Sequence, residues 1–132
     1  MTQAKHWPEE MEGHRRRAIK YADLISRLGD KVLSHAENNK SKLALASIVQ
    51  IRRRAKAVET EMIRARQRPR IWPRLAENAR LDSMVACEQI LRLVKEAETA
   101  AQNEQPESLA LLIGEIQVKA QEIELLLSRV GV

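Results

Sequence analysis

The sequence predicts an all-α protein with a four-helix arrangement made of two tandemly duplicated antiparallel αα-hairpins. Three observations lead to this prediction: the composition favours helices, apolar residues recur at helical spacing, and the chain matches itself at an offset of 65 residues. Aromatic residues make up only 2% of the 132 residues and Phe is absent, although strands prefer aromatic and β-branched side chains. Strong helix formers such as Ala, Leu, Arg, Glu and Lys are abundant instead.

The internal match starts at Trp7 and Trp72, each of which is followed by proline. From there to the C-terminus, 14 of 61 aligned residue pairs are identical without a gap, against roughly five expected by chance for this composition. A repeat of this length indicates one structural unit that occurs twice.

The first copy, residues 1–67, is predicted to be a basic helical hairpin that turns near Asn38 and Asn39. Apolar residues recur at alternating spacings of three and four on both sides of this polar turn, which is typical of helices with one buried side. A connection this short requires the two helices to pack antiparallel. The predicted core positions of its second helix are Ala44, Ile48, Ile51, Ala55, Val58, Met62 and Ala65.

Residues 68–74 lie in the stretch RQRPRIWPRL and are predicted to be an Arg- and Pro-rich connection. Proline suits the first turn of a helix because it lacks an N–H group and has a fixed φ. The tryptophan before it, like Trp7 in the first copy, is expected to cover the open end of its hairpin.

The second copy, residues 75–132, repeats the hairpin pattern with an acidic balance and a turn at residues 102–107. Together the two hairpins are expected to form one compact domain with helices of roughly 25 residues. The predicted core positions of the last helix are Leu109, Ile113, Ile116, Ala120, Ile123, Leu127 and Val130.

Charge is distributed unequally, because residues 1–74 hold 18 Lys/Arg and 8 Asp/Glu whereas residues 75–132 hold 5 and 10. Aligned basic side chains can bind a nucleic-acid backbone without reading its sequence. Two other interpretations stay open: solvated helix faces, and attraction between the basic and acidic halves. The candidate polyanion-binding residues are Arg15, Arg16, Arg17, Arg52, Arg53, Arg54, Arg64, Arg66, Arg68 and Arg70.

The last helix carries a second apolar series at seven-residue intervals, nearly opposite its predicted core positions. The corresponding positions of the first copy are mostly polar. A helix that is apolar on two sides must be covered on both, and we expect cover by the first hairpin, with a homodimer or a partner protein as the alternative. The candidate protein-interaction residues are Leu111, Gly114, Val118, Leu125 and Val132.

Side chains that could carry catalysis or bind a metal are scattered along the chain. His6, His14 and His35 have no further ligand at zinc-binding spacing, so no metal or cofactor is expected. Cys87 takes the position that the first copy fills with Ala22, which favours a buried apolar role. No glycine-rich phosphate loop is present. Enzymatic activity is therefore the least favoured class, and no small-molecule substrate is expected.

The longest apolar runs, such as residues 108–114, are far shorter than the ~20 residues of a membrane span. A single cysteine and the lack of a signal-peptide core predict a cytoplasmic protein without a membrane role. The sequence thus favours a non-enzymatic interaction or assembly module that docks onto another protein or itself through the last helix and the Arg-rich open end. Non-sequence-specific nucleic-acid binding is the alternative.

Overall fold

Four α-helices form the described part of the chain in the computed structural model, which covers residues 9–65 and 74–129. The helices are α1 (Glu9–Glu37), α2 (Ser41–Ala65), α3 (Arg74–Gln102) and α4 (Pro106–Arg129). No strand occurs in these two ranges, so the prediction of an all-α protein with four helices is confirmed. Within the same ranges, no helix contains an apolar stretch long enough to cross a membrane.

Each helix packs against two others, because α1 and α3 both contact α2 and α4. Short turns join α1 to α2, the first hairpin, and α3 to α4, the second hairpin. Hydrogen bonds near the helix ends place the start of α1 beside the end of α4, and the start of α3 beside the end of α2. Neighbouring helices are therefore antiparallel, in the up-down-up-down order of a four-helix bundle.

The two interhelical turns have the same geometry. In the first turn Asn39 has a φ of 57°, and its N–H donates to the carbonyl of Ala36 at 3.2 Å. The N–H of Lys40 donates to the carbonyl of His35 at 2.8 Å. The second turn repeats both hydrogen bonds 65 residues later, with Glu104 at a φ of 52°. Both are Schellman motifs, in which one left-handed residue ends the helix while its last carbonyls stay bonded.

Small and branched apolar side chains from all four helices fill the core. All seven predicted core positions of α2 are buried, as are the first six of α4, whereas Val130 lies outside the described residues. Tyr21 and Leu28 of α1 and Leu93 of α3 are only half-buried, because they lie at the edges of the buried sides of these helices. The predicted roles of Trp7 and Trp72 also fall outside the described residues.

Candidate docking surface

An apolar stripe formed by Leu111, Val118 and Leu125 runs along the outer side of α4. The three residues are 74%, 62% and 56% exposed. Because they follow one another at seven-residue intervals, they lie on one line at spacings of about 10 Å, opposite the buried Ile116. We call these three residues the α4 stripe. Val132, the predicted fourth member, lies outside the described residues.

The α4 stripe is not covered by the first hairpin, so the expectation of cover within the molecule is wrong. Helix α1 of the first hairpin contacts α4 on a different side, where Gln117 of α4 lies. The Nε2 of Gln117 donates to the carbonyl of Ser26 and to the carboxylate of Asp30 in α1, each at 2.9 Å. Since successive helix residues are rotated by about 100°, Val118 points away from this contact. The sequence period identified two apolar sides of α4 but could not show which of them α1 would occupy.

The same positions face outward on the first hairpin but carry different residues. Ala46, Arg53 and Thr60 lie on α2, each 65 residues before a member of the α4 stripe, and all three are exposed. The fold therefore directs these positions toward solvent in both hairpins. The apolar character of the α4 stripe is a property of its residues and is not imposed by the bundle.

The helix α3 adds exposed apolar side chains that the sequence reasoning did not identify. Leu75, Leu81 and Val85 are each 45% to 59% exposed, so six of the eight large exposed apolar side chains in the described residues lie on the second hairpin. Alignment of the two copies contained a usable signal, because Leu81 and Val85 stand where the first copy has Arg16 and Lys20.

A shallow depression of about 470 Å³ lies beside the α4 stripe, between α3 and α4. Gly114 opens it, because a Cβ atom at this position would have no other atom within 4 Å. The two charged residues at its border, Glu115 and Lys119, are opposite in sign. An apolar side chain from outside the molecule can therefore enter without meeting an unbalanced charge. The lining residues are Leu93, Leu111, Gly114, Glu115, Val118 and Lys119.

A buried arginine joins the two hairpins at the start of α3. The side chain of Arg80 is 1% exposed, and its Nη1 donates to the carbonyl of Met62 at 3.2 Å. That carbonyl belongs to the last turn of α2. The Nε of Arg80 also donates to Glu77 at 3.0 Å, which compensates the buried charge.

Arg15 makes the same contacts at the start of α1. Its Nη1 donates to the carbonyl of Leu127 in the last turn of α4 at 3.2 Å, and its Nε donates to Glu12 at 2.9 Å. Every residue of this arginine clamp is 65 positions from its counterpart in the clamp of Arg80. Only 16% of the Arg15 side chain is exposed. It therefore contributes mainly to the contact between hairpins, although the sequence reasoning placed it in the polyanion-binding set.

Arg17 is paired with a buried carboxylate of α2. The Nε of Arg17 donates to Glu61 at 2.9 Å, and the Nδ1 of His14 donates to the same carboxylate at 2.6 Å. Burial alone would raise the pKa of Glu61, but the hydrogen bonds from Arg17 and His14 lower it below the ordinary range. The hydrogen bond with Glu61 likewise raises the pKa of Arg17. This cluster fastens the start of α1 to the end of α2.

Two further predicted polyanion-binding residues are engaged within the molecule. Arg52 forms an ion pair with Glu98 of α3, and this pair joins the hairpins. The guanidinium of Arg54 lies 5.9 Å from the centre of the Tyr21 ring, at cation–π distance. Both arginines are half-buried.

The outward side of the first hairpin is nevertheless strongly basic. Arg53 and Arg64 are exposed and form no ion pair with any residue in the two described ranges, whereas Arg16 is exposed and paired with Glu12 at 3.1 Å. Arg66, Arg68 and Arg70 lie outside those ranges. The exposed Lys and Arg residues that point away from the core, which we call the basic face, are Arg16, Lys20, Arg27 and Lys31 of α1 and Lys42, Arg53, Lys56 and Arg64 of α2.

Cys87 and the histidines are the other potentially reactive side chains, and of these His35 is half-buried in the last turn of α1. Burial raises the pKa of the Cys87 thiol to about 12, so this side chain stays protonated at neutral pH. His14 is bonded to Glu61, and His6 lies outside the described residues. Over residues 9–65 and 74–129, no group of three His, Cys, Asp or Glu side chains is arranged to hold a metal ion.

No family model matches the sequence, and comparisons with curated proteins and with solved structures also gave no match. The function is therefore inferred from the surfaces of the molecule itself.

Proposed function

We propose that this protein is a non-enzymatic assembly module that associates with a second copy of itself through the α4 stripe. The observation that supports the proposal is the exposure of Leu111, Val118 and Leu125, on a helix whose opposite side lies in the core. The stripe extends over about 21 Å of helix. Contiguous exposed apolar patches mark interaction sites, and a depression lined by Leu93, Leu111 and Val118 connects two members of the α4 stripe.

The expected strength of this association follows from the area available. Full burial of an exposed Leu or Val side chain contributes about 1.5–3 kcal/mol. Six such side chains meet in a dimer, and because each is already partly covered, their gross contribution is about 6–12 kcal/mol. Bringing two molecules together costs about 4–15 kcal/mol. We therefore expect a reversible, concentration-dependent dimer and not an obligate one.

We interpret the bundle as two copies of one hairpin whose outer surfaces have diverged. The two turns, with left-handed residues at Asn39 and Glu104, support this interpretation, as do the clamps of Arg15 and Arg80. These contacts recur at the same offset as the sequence identities. On the outer surface, basic residues of the first copy such as Lys20 and Arg53 are replaced by Val85 and Val118 in the second, as expected where the two surfaces have acquired separate tasks. In this interpretation the second hairpin binds another copy, and the first carries the basic face.

Light scattering and sedimentation velocity over a range of concentrations test the proposal. The wild-type protein is expected to shift from monomer to dimer as concentration rises, and Leu125→Glu is expected to stay monomeric. Thr60→Glu is the matched control, because Thr60 occupies the corresponding exposed position of α2. A wild-type protein that is monomeric at every concentration, or a Leu125→Glu variant that dimerises like the wild type, would refute the proposal.

A second candidate function is backbone binding of double-stranded nucleic acid by the basic face. Eight exposed Lys and Arg residues support it, because basic side chains aligned along two helices can neutralise backbone phosphates. Binding to a random duplex should weaken steeply with salt. Arg27→Ala should reduce the salt slope by about one unit, and Arg92→Ala, at the matching position of α3, should leave it unchanged. No binding at low salt would exclude this function.

A further inference from the structure

We call the shallow depression beside Gly114 the socket, because it is open to solvent and can receive an apolar side chain from outside the molecule. Its walls are Leu93, Leu111 and Val118, and its floor is open because residue 114 has no side chain. In the matching position of α2 the chain has Val49, so the opening is specific to the second hairpin. An apolar side chain that protrudes from an opposing surface can occupy this socket.

The same helix also presents the protruding side chain. Leu125 lies eleven residues beyond Gly114, which is about 16 Å further along α4. If a second α4 lies antiparallel on the first, Leu125 of each copy can face Gly114 of the other. In this register Val118 faces Gln121 and Leu111 faces Ser128, so each large apolar residue meets a smaller or more flexible one. By symmetry, each of these three facing pairs occurs twice in the dimer, so the interface is closed and two-fold symmetric.

We infer that the second copy docks antiparallel, with Leu125 of each α4 seated in the depression beside Gly114 of the other. This inference rests on the proposed self-association and specifies its geometry. A parallel pair would set Gly114 against Gly114 and Leu125 against Leu125, leaving both sockets empty while the large side chains hold the helices apart. Alternation of large and small residues across an interface gives the closer packing.

The antiparallel register creates one favourable and one unfavourable charge contact beside the α4 stripe. Glu122 of the second copy then lies level between Lys119 and Glu115, about 3 Å along the axis from each. Lys119 already contacts Glu122 of its own chain at 3.4 Å, so it can bridge the two glutamates. Glu115 is exposed and repels the incoming Glu122. Glu115→Lys should therefore tighten an antiparallel dimer at low salt, and this gain should disappear at high salt.

Filling the socket distinguishes this geometry from general hydrophobic association. Gly114→Leu adds apolar surface at an exposed site and should raise helix stability, so non-specific association would increase. Seating of Leu125 would instead be blocked, and we expect the dimer dissociation constant to rise at least tenfold by sedimentation equilibrium. If Gly114→Leu dimerises as tightly as the wild type while Leu125→Glu is monomeric, the socket geometry is wrong and self-association stands. If the wild type is monomeric, both proposals fail.

Spin labels measure the orientation directly. A nitroxide on Glu107→Cys, at the start of α4, reports on one end of the helix, and the buried Cys87 stays unlabelled. In the antiparallel register the two labels lie at opposite ends, about 37 Å apart along the axis. A pulsed-dipolar distance in this range supports the inference. Labels found at the same end would show parallel packing and overturn it.

Discussion

The guanidinium of Arg80 crosses from α3 to α2 and donates to the carbonyl of Met62, from a side chain that is 1% exposed. Arg80→Met keeps most of the side-chain volume but removes the buried hydrogen bonds to Met62 and Glu77, and we expect a loss of about 2–3 kcal/mol in the free energy of unfolding. Arg15→Met should cost only about 1 kcal/mol, because water can reach the more exposed clamp of Arg15. Urea unfolding measures both. Equal losses would show that burial does not set the strength of the clamp.

Gly29 of α1 lies directly beneath Gln117 of α4. A Cβ atom at Gly29 would approach the Gln117 side chain to between 2.6 and 2.9 Å, which would displace its hydrogen bonds to Ser26 and Asp30. Gly29→Ala is therefore expected to lose stability, although alanine is favoured over glycine in a helix by about 1 kcal/mol. In a Gln117→Ala background the same change should stabilise by that amount.

Gly114→Ala is the matched control for this pair, because its Cβ atom would meet nothing. It should raise the free energy of unfolding of the monomer by about 1 kcal/mol. Thermal unfolding of the wild type, of Gly29→Ala, Gln117→Ala and their double variant, and of Gly114→Ala measures these effects. Additive effects of Gly29→Ala and Gln117→Ala would show that these residues do not constrain each other.

Glu104 holds a left-handed conformation that asparagine and glycine adopt more readily. Its φ is 52°, and the corresponding residue of the first turn is Asn39 with a φ of 57°. Glu104→Gly should stabilise the protein by roughly 0.5–1 kcal/mol, whereas Asn39→Gly should have a smaller effect. Differential scanning calorimetry of the two variants measures this contrast. A larger gain at Asn39 would contradict the strain assigned to Glu104.

Because the pKa of Glu61 is lowered in the folded protein, the free energy of unfolding is expected to decrease at acidic pH. Below the ordinary pKa of 4.5, the Glu61 side chain takes up a proton in the unfolded chain more readily than in the folded protein. The contribution of Glu61 to the free energy of unfolding is therefore present above pH 4.5 and is lost as pH falls through the folded pKa. Glu61→Gln should flatten the decline in unfolding free energy as pH falls below the ordinary pKa of 4.5. The lowered pKa of Glu12 contributes in the same direction, so part of the decline should remain.

Glu124 is expected to behave in the opposite way. Burial raises its pKa, and the charge of Asp23 on α1 raises it further, although Arg27 offsets part of this effect. The folded protein therefore binds the proton more readily than the unfolded chain, and the ionised side chain is unfavourable at neutral pH. Glu124→Gln should stabilise the protein at pH 7 but not at pH 3, as measured by urea unfolding at both pH values. The reverse dependence would refute this assignment.

The helices and most of the core could be predicted from sequence because local spacing determines them. The series from Ala44 to Ala65 has one apolar side, and this side is buried whatever the neighbouring helix is. Arg80 was not recognised as a core residue, since its burial depends on a carbonyl of α2 and a carboxylate of α3 that meet only in the folded bundle. The identity of Arg15 with Arg80, and of Glu12 with Glu77, was the available signal.

The exposed surfaces were less predictable, because a helix with two apolar sides can pack either of them against its neighbour. The period of α4 defined two apolar sides, but only the bundle shows that α1 binds at Gln117 and leaves Val118 exposed. The polyanion-binding set follows from residue type and from the expected open end of the first hairpin, neither of which shows which guanidinium groups are engaged within the molecule. Arg15 and Arg17 proved to be engaged with other residues, while Lys42 of the basic face was passed over.

The reciprocity of the two arginine clamps bears on how such a chain could arise. Arg15 binds the helix end that belongs to the other hairpin, and Arg80 returns the same contact. Under the duplication that we propose, a single-hairpin ancestor could have built the same bundle from two separate, identical chains. Fusion of two such genes would release one half from the demand for symmetry, so that its exterior could change while the other half remained as before.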